Sequence, residues 1–274
     1  VPNARQIWVD IPPRDLGDET LEAVKESLSS AISQLEDLTG NHVSAGSLNK
    51  QFRIRNQICR YYKTILHEIS ASDVYPCNPA TFAEILSLLS ISFQDYNSDV
   101  NRYLENFSQL VSEMKERMHN REVSVNTKGM PRVLLTPMFG GWEPLTHEIL
   151  HEMGIRTIYA DWEIIGLLDE IRISKDPVEE YAKFLMNMTN KGIGCDNSAL
   201  TDSYVRTAKK LNVDGLVFNQ VFGCHSVSNC YTLLKEKLRR EDIPSTVLNF
   251  HKIGENVEQV KTRLQAFGEI LKSY

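Results

Sequence analysis

Apolar residues recur at three- and four-residue steps through Leu21, Val24, Leu28, Ile32, Leu35 and Leu38, which predicts an amphipathic helix. After a break at TGNHVSAGS the same rhythm resumes at Leu48, Phe52, Ile58, Ile65 and Ile69. A third helix is expected in CNPATFAEILSLL, with Asn78 as its cap and Pro79 at the first helical position. A fourth carries Val100, Tyr103, Phe107, Leu110, Met114 and Met118. Such stripes read as helix-packing core rather than cofactor contacts. Ahead of them QIWVDIP, residues 6–12, reads as a short strand closed by prolines. A lone strand forms no sheet by itself.

The polar stretch 119–130, HNREVSVNTKGM, is the clearest boundary, and the pattern changes after it. RVLLTPMF, RTIYADW, GLVFNQVF and STVLNF read as strands. Between and after them lie helical patterns: EPLTHEILHEMG ending at Gly154, the segments 177–190 and 198–211, NCYTLLKEKLRRE, and VEQVKTRLQAFGEILKSY. Strands that are apolar throughout and alternate with helices imply a parallel sheet covered on both faces. The expected fold is therefore α/β, a small doubly wound (flavodoxin- or Rossmann-like) parallel sheet preceded by an α-helical region. The expected division is 1–17 as a strand and linker from an N-terminal α/β domain that is missing, 18–128 as the helical region, and 129–274 as the doubly wound domain. Ligands of such sheets bind beyond the carboxyl ends of the strands. TPMFGGW, DWEIIG and GCHSVSN fall there.

Composition narrows the class. Of 274 residues 42% are hydrophobic and 24% charged, as in an ordinary globular protein. The net charge of −6 argues against nucleic acid or an anionic membrane as partner. No apolar run is long enough to span a bilayer, and the N-terminus lacks the pattern of a signal peptide. Five cysteines, Cys59, Cys77, Cys195, Cys224 and Cys230, with no C-x-x-C pair, fit a reducing cytoplasm better than a disulfide framework or a zinc ribbon.

Three motifs carry candidate chemistry. HEILHE matches H-E-x-x-H, so His147 and His151 could hold one zinc ion with Glu148 as base. The helix's own pattern argues against it: Leu145, Ile149 and Met153 form the apolar face, and both histidines lie opposite, toward solvent. A catalytic zinc also needs a third ligand, for which Glu163 or Glu170 could serve. In TPMFGGWEP the pair Gly140 and Gly141 lets backbone N–H groups approach an anion at a helix start, although no Lys follows and a plain tight turn fits as well. Cys224 ends the strand GLVFNQVF beside His225. His225 could lower the thiol's pKa and make it a nucleophile or metal ligand. Adjacent side chains seldom point the same way and no orienting third group is evident, so an inert turn thiol fits the local sequence at least as well. Cys230 reads as packed at the next helix start.

The run from 198 to 250 with the last helix resembles the family of 2-hydroxyacyl-CoA dehydratase and benzoyl-CoA reductase subunits, which also contains double-cubane cluster proteins. The features that carry it are Val213-Asp214-Gly215, Cys224, Leu233-Leu234-Lys235, Ile243-Pro244 and Gln259 through Arg263. RVLLTPMFGGWEPLTHEILHEMGIRTIYADW and WVDIPPRD resemble earlier parts of the family pattern.

The resemblance implies a subunit, or a C-terminal fragment of one, of an iron–sulfur enzyme acting on an acyl-CoA. In the family an ATP-dependent activator protein with its own cluster delivers one electron. The reduced thioester then loses water, as in a dehydratase lyase, or is reduced further. The cluster, of 4Fe–4S type, sits on three cysteines, and the resemblance assigns Cys224 as one of them. The others match nothing here: Cys59 and Cys77 fall in the helical region. Gly140, Gly141 and Trp142 are the implied contacts for acyl-CoA, and no acid or base is assigned. A related second subunit, forming a heterodimer, is the implied partner. The alternatives are a non-catalytic α/β subunit without a cluster and the zinc hydrolase through His147, Glu148 and His151.

Overall fold

The structure, a computed structural model, describes residues 6–12, 17–92, 99–137, 145–191, 194–221, 223, 230–250 and 256–273. The amphipathic stripes become helices α1 (Asp18–Thr39), α2 (Ala45–Lys63), α3 (Pro79–Ser92) and α4 (Val100–His119). Ser44 and Ser47 cap α2 reciprocally: each backbone N–H donates to the other's hydroxyl, at 3.0 and 3.1 Å. The α2 pattern runs on through Ile65 and Ile69 because the helix continues as a π-helix over Thr64–Ile69. Asn78 caps α3 as expected, its Oδ1 accepting from Ala80 N at 2.8 Å.

QIWVDIP forms no strand. Among the described residues no sheet edge reaches 6–12, so its backbone turns to α1 instead, Asp10 N donating to Ser27 Oγ at 2.8 Å. The polar stretch before the sheet contributes a short ribbon that sequence did not indicate. Its two strands, β1 (Val74–Tyr75) and β2 (Val125–Asn126), pair antiparallel.

The C-terminal half holds a four-stranded, all-parallel sheet. Its strands are β3 (Arg132–Thr136), β4 (Arg156–Ile158), β7 (Gly215–Val221) and β8 (Ser245–Phe250), in the order β4-β3-β7-β8. A second short ribbon pairs β5 (Asn190–Lys191) with β6 (Gly194–Cys195). Strand β4 is shorter than RTIYADW promised. Ile164 N donates to Ala160 O at 3.0 Å and the chain enters a helical turn, α6 (Asp161–Ile164). The remaining helices are α5 (Leu145–Glu152), α7 (Pro177–Asn187), α8 (Asn197–Lys210), α9 (Tyr231–Arg240) and α10 (Val257–Ser273). Right-handed crossovers put α5 and α10 over one face and α8 and α9 over the other, where each pair packs together.

All five residues of β3 are buried, as a strand covered on both faces requires. One hydrophobic cluster runs from Ile58, Tyr62 and Phe82 of the helical region into Leu134, Ile158 and Phe218 of the sheet. No helix among the described residues is long and apolar enough to cross a membrane.

Gly215, the first residue of β7, is closely covered by α10. A Cβ there would lie 2.8 Å from Phe267, 2.9 Å from Leu271 and 3.2 Å from the Pro244 carbonyl oxygen. Gly215→Ala is expected to destabilise the protein by about 1–3 kcal/mol through overpacking, read as a lowered Tm. An unchanged Tm would show that α10 can lift away freely.

Candidate functional site

The sheet reverses its winding between β3 and β7: β4 follows β3 on one side and β8 follows β7 on the other. That pair defines the topological switch point, where doubly wound sheets bind ligands. The strands are in direct register, Thr136 opposite Phe218. The chain leaving β3 passes through Pro137 into 138–144, which contains Gly140, Gly141 and Trp142. The chain leaving β7 passes into 224–229, which begins with Cys224. All four of these sequence-derived site residues lie outside the described residues.

The described rim of the switch point is polar and buried. Thr136, fully buried at the end of β3, donates its hydroxyl to Asp161 Oδ1 at 2.9 Å. Asp161 opens α6 and is itself buried. Burial above all, together with the charge of Asp161, pushes the phenols of Tyr62 and Tyr159 up. On β7, Asn219 is fully buried. Its amide reaches the Pro137 carbonyl at 3.4 Å, while its Oδ1 accepts no hydrogen bond among the described residues. Thr146 Oγ1, in the first turn of α5, is likewise buried and unpartnered among them. Buried polar atoms of native interiors are ordinarily hydrogen-bonded to protein or ordered water.

None of these four polar residues was singled out from the sequence. Asp161 stood in the recognised DWEIIG loop, and Asn219 interrupts an apolar strand. Those were the available signals, and neither specifies a partner without the sheet order.

The candidate metal ligands fare as follows. His151 Nε2 accepts from the Asn78 amide at 3.0 Å at the start of α3, so its face of α5 meets the helical region rather than open solvent. Glu148 is exposed, and the His147 side chain lies outside the described residues. Both proposed third ligands are held in ion pairs. Glu170 takes a bidentate contact from Arg60, with both N–O distances 2.8 Å. Glu163 pairs with Lys210 and lies 3.4 Å from His67 Nε2. No group of three His, Cys, Asp or Glu residues that could hold a metal occurs among the described residues.

The cysteines sort by environment. Burial pushes the Cys59 and Cys77 thiols up, which disfavours the thiolate a metal needs. Cys230 is buried at the start of α9, as expected of a packed thiol. The described residues therefore do not form an iron–sulfur site by themselves.

Glu163, in the helical turn that follows β4, pairs with both Lys210 and His67. Burial would raise its carboxyl, but hydrogen bonds from His67 and Lys210 hold it down at about 2. A depressed carboxyl stabilises the fold above the ordinary carboxylate range, and that stabilisation disappears as pH falls through about 2. Glu163→Gln is expected to cost about 1–3 kcal/mol at neutral pH. In urea unfolding series the gap to wild type should close between about pH 4.5 and pH 2. A gap independent of pH would mean that the carboxylate's charge is not what stabilises.

Comparison with known proteins supplies the family. The sequence profile of the 2-hydroxyglutaryl-CoA dehydratase D-component family matches residues 4–271. The chain is also similar to the (R)-phenyllactyl-CoA dehydratase beta subunit of Clostridium sporogenes. The two are 23% identical over 280 residues, which cover 99% of this chain and 69% of that protein. With nearly the whole chain matched, this protein belongs to the 2-hydroxyglutaryl-CoA dehydratase D-component family.

Proposed function

We propose that this chain is one subunit of a cytoplasmic 2-hydroxyacyl-CoA dehydratase and that its acyl-CoA site lies at the β3/β7 switch point. The observation that carries the site is the direct pairing of β3 with β7. It brings the strand that leads to Gly140, Gly141 and Trp142 beside the strand that leads to Cys224. In this reading backbone N–H groups of the glycine pair meet the anionic or carbonyl end of the thioester, and Trp142 packs against its apolar part. In the same reading Asn219 Oδ1 and Thr146 Oγ1, buried and without a hydrogen-bond partner among the described residues, offer polar contacts to the site.

Cys224 gives one thiolate to an iron–sulfur cluster whose other ligands come from elsewhere in the assembly. Such a cluster supplies one-electron chemistry, fed by an ATP-dependent activator. A related subunit completes the enzyme, in keeping with the beta-subunit name of the Clostridium sporogenes relative.

Anaerobic purification of the full-length polypeptide with any co-purifying subunit tests this directly. Iron, sulfide and broad visible absorption are expected, all reduced in a Cys224→Ser variant. A colourless, iron-free wild-type protein would sink the role of Cys224.

Asn219→Leu separates function from folding. The substitution removes an oxygen that accepts no bond among the described residues and one long amide contact to the Pro137 carbonyl, 3.4 Å. It is expected to cost about 1–3 kcal/mol of stability, read as a lowered Tm in a protein that still folds. Dehydratase turnover is expected to fall at least about tenfold, a loss of about 1.4 kcal/mol in transition-state stabilisation. Unchanged turnover would remove Asn219 from the site.

A further inference from the structure

A cavity of about 520 Å³ opens between α1, α2 and α7, within the size range of small-molecule sites. It is independent of the switch-point reading. Leu28 and Ala31 of α1 wall one side, and an aromatic group walls the other. The Phe52 ring stacks 5.7 Å from Tyr181, which stacks 6.0 Å from Phe184.

Arg55 is the charged side chain among the lining residues. It is 8% exposed, and its Cζ sits 4.3 Å from the centre of the Phe184 ring. Its donors reach only neutral oxygens. Nη1 donates to Asp169 O at 2.6 Å and to Asn56 Oδ1 at 3.3 Å, and Nη2 donates to Leu167 O. Glu170, which follows these acceptors in the chain, is engaged by Arg60. Among the described residues no carboxylate forms an ion pair with Arg55.

This guanidinium is hydrogen-bonded to carbonyl and amide oxygens and has no directly paired carboxylate among the described residues. Its charge does reach Glu170, where it adds to the Arg60 hydrogen bond that chiefly holds that carboxyl below its usual range. Buried charges are ordinarily paired, and an apolar surround strengthens attraction to any anion that enters. The lining is aliphatic and aromatic apart from Gln51, Arg55 and the phenol of Tyr181, which favours an apolar body over one rich in hydroxyls or phosphates.

We propose that this cavity binds an apolar carboxylate, with an aromatic or branched aliphatic body against Phe52, Tyr181 and Phe184 and its carboxylate toward Arg55. The geometry requires both features at once. A neutral analogue of the same shape loses the charge contact, and a hydrophilic acid loses the wall.

Isothermal titration of the full-length protein with 3-phenylpropanoate, beside 3-phenylpropanamide, tests the proposal. The acid is expected to bind at least about tenfold tighter than the amide, the ratio of one paired charge in a partly buried site. Ala31→Phe fills the cavity and should abolish binding of both. Leu35→Glu, a half-exposed residue at the same cavity, places a like charge at the mouth. It should weaken the acid while sparing the amide, and its surface position keeps the fold intact if Ala31→Phe does not. Equal affinity for acid and amide would overturn the role of Arg55 and mark the cavity as an apolar groove awaiting protein side chains. No binding of either ligand, or binding that neither substitution alters, would overturn the site.

Discussion

A parallel sheet can leave neither face in water, and most of this structure follows from that constraint. Strand β3 is buried along its whole length, so helices must lie above and below it. Right-handed crossovers then decide which helix goes where. With β4 on one side of β3 and β7 on the other, the connections leave β3 and β7 toward opposite faces, which makes this pair the switch point of the sheet.

Besides the shared apolar core, arginine, tryptophan and asparagine side chains tie the helical region to this frame through backbone groups. Arg55 holds Leu167 O and Asp169 O. Arg156 holds Ser72 O at 2.8 Å and Met130 O at 3.0 Å. Trp162 Nε1 donates to Ser90 O at 2.8 Å. Asn56 exchanges two bonds with Ile171, at 2.7 and 2.9 Å. Loops between regular elements carry unpaired carbonyls, and burying them is costly unless a donor arrives. These residues supply the donors, which is how Arg55 and Arg156 sit buried without a carboxylate ion pair among the described residues.

That arrangement has two consequences. At the sheet's carboxyl end Thr136 is bonded to Asp161, while Asn219 Oδ1 and Thr146 Oγ1 are buried with no hydrogen-bond partner among the described residues. Away from the sheet, Arg55 brings a unit charge to the edge of an apolar cavity. Both are departures from a fully satisfied interior, the pattern expected where a fold makes room for something else.

The sequence by itself determined the classes of element and their periods. Leu21 to Leu38 had to be a helix, and GLVFNQVF a buried strand, because hydrophobic spacing reports which face is covered. Its local signals also located the caps at Asn78 and Gly154, and spread features carried the family resemblance. It misread QIWVDIP, where alternation and prolines imitate an edge strand, because strand formation depends on a neighbour that local residues do not specify. It likewise let Glu163 and Glu170 stand as metal ligands, since their partners Lys210 and Arg60 are far away in the chain. Only the tertiary structure set β3 beside β7, put Asn219 under Pro137, and closed α1 and α7 over Arg55. Those are long-range pairings, settled by how the covered sheet and its helices pack together rather than by any one segment's pattern.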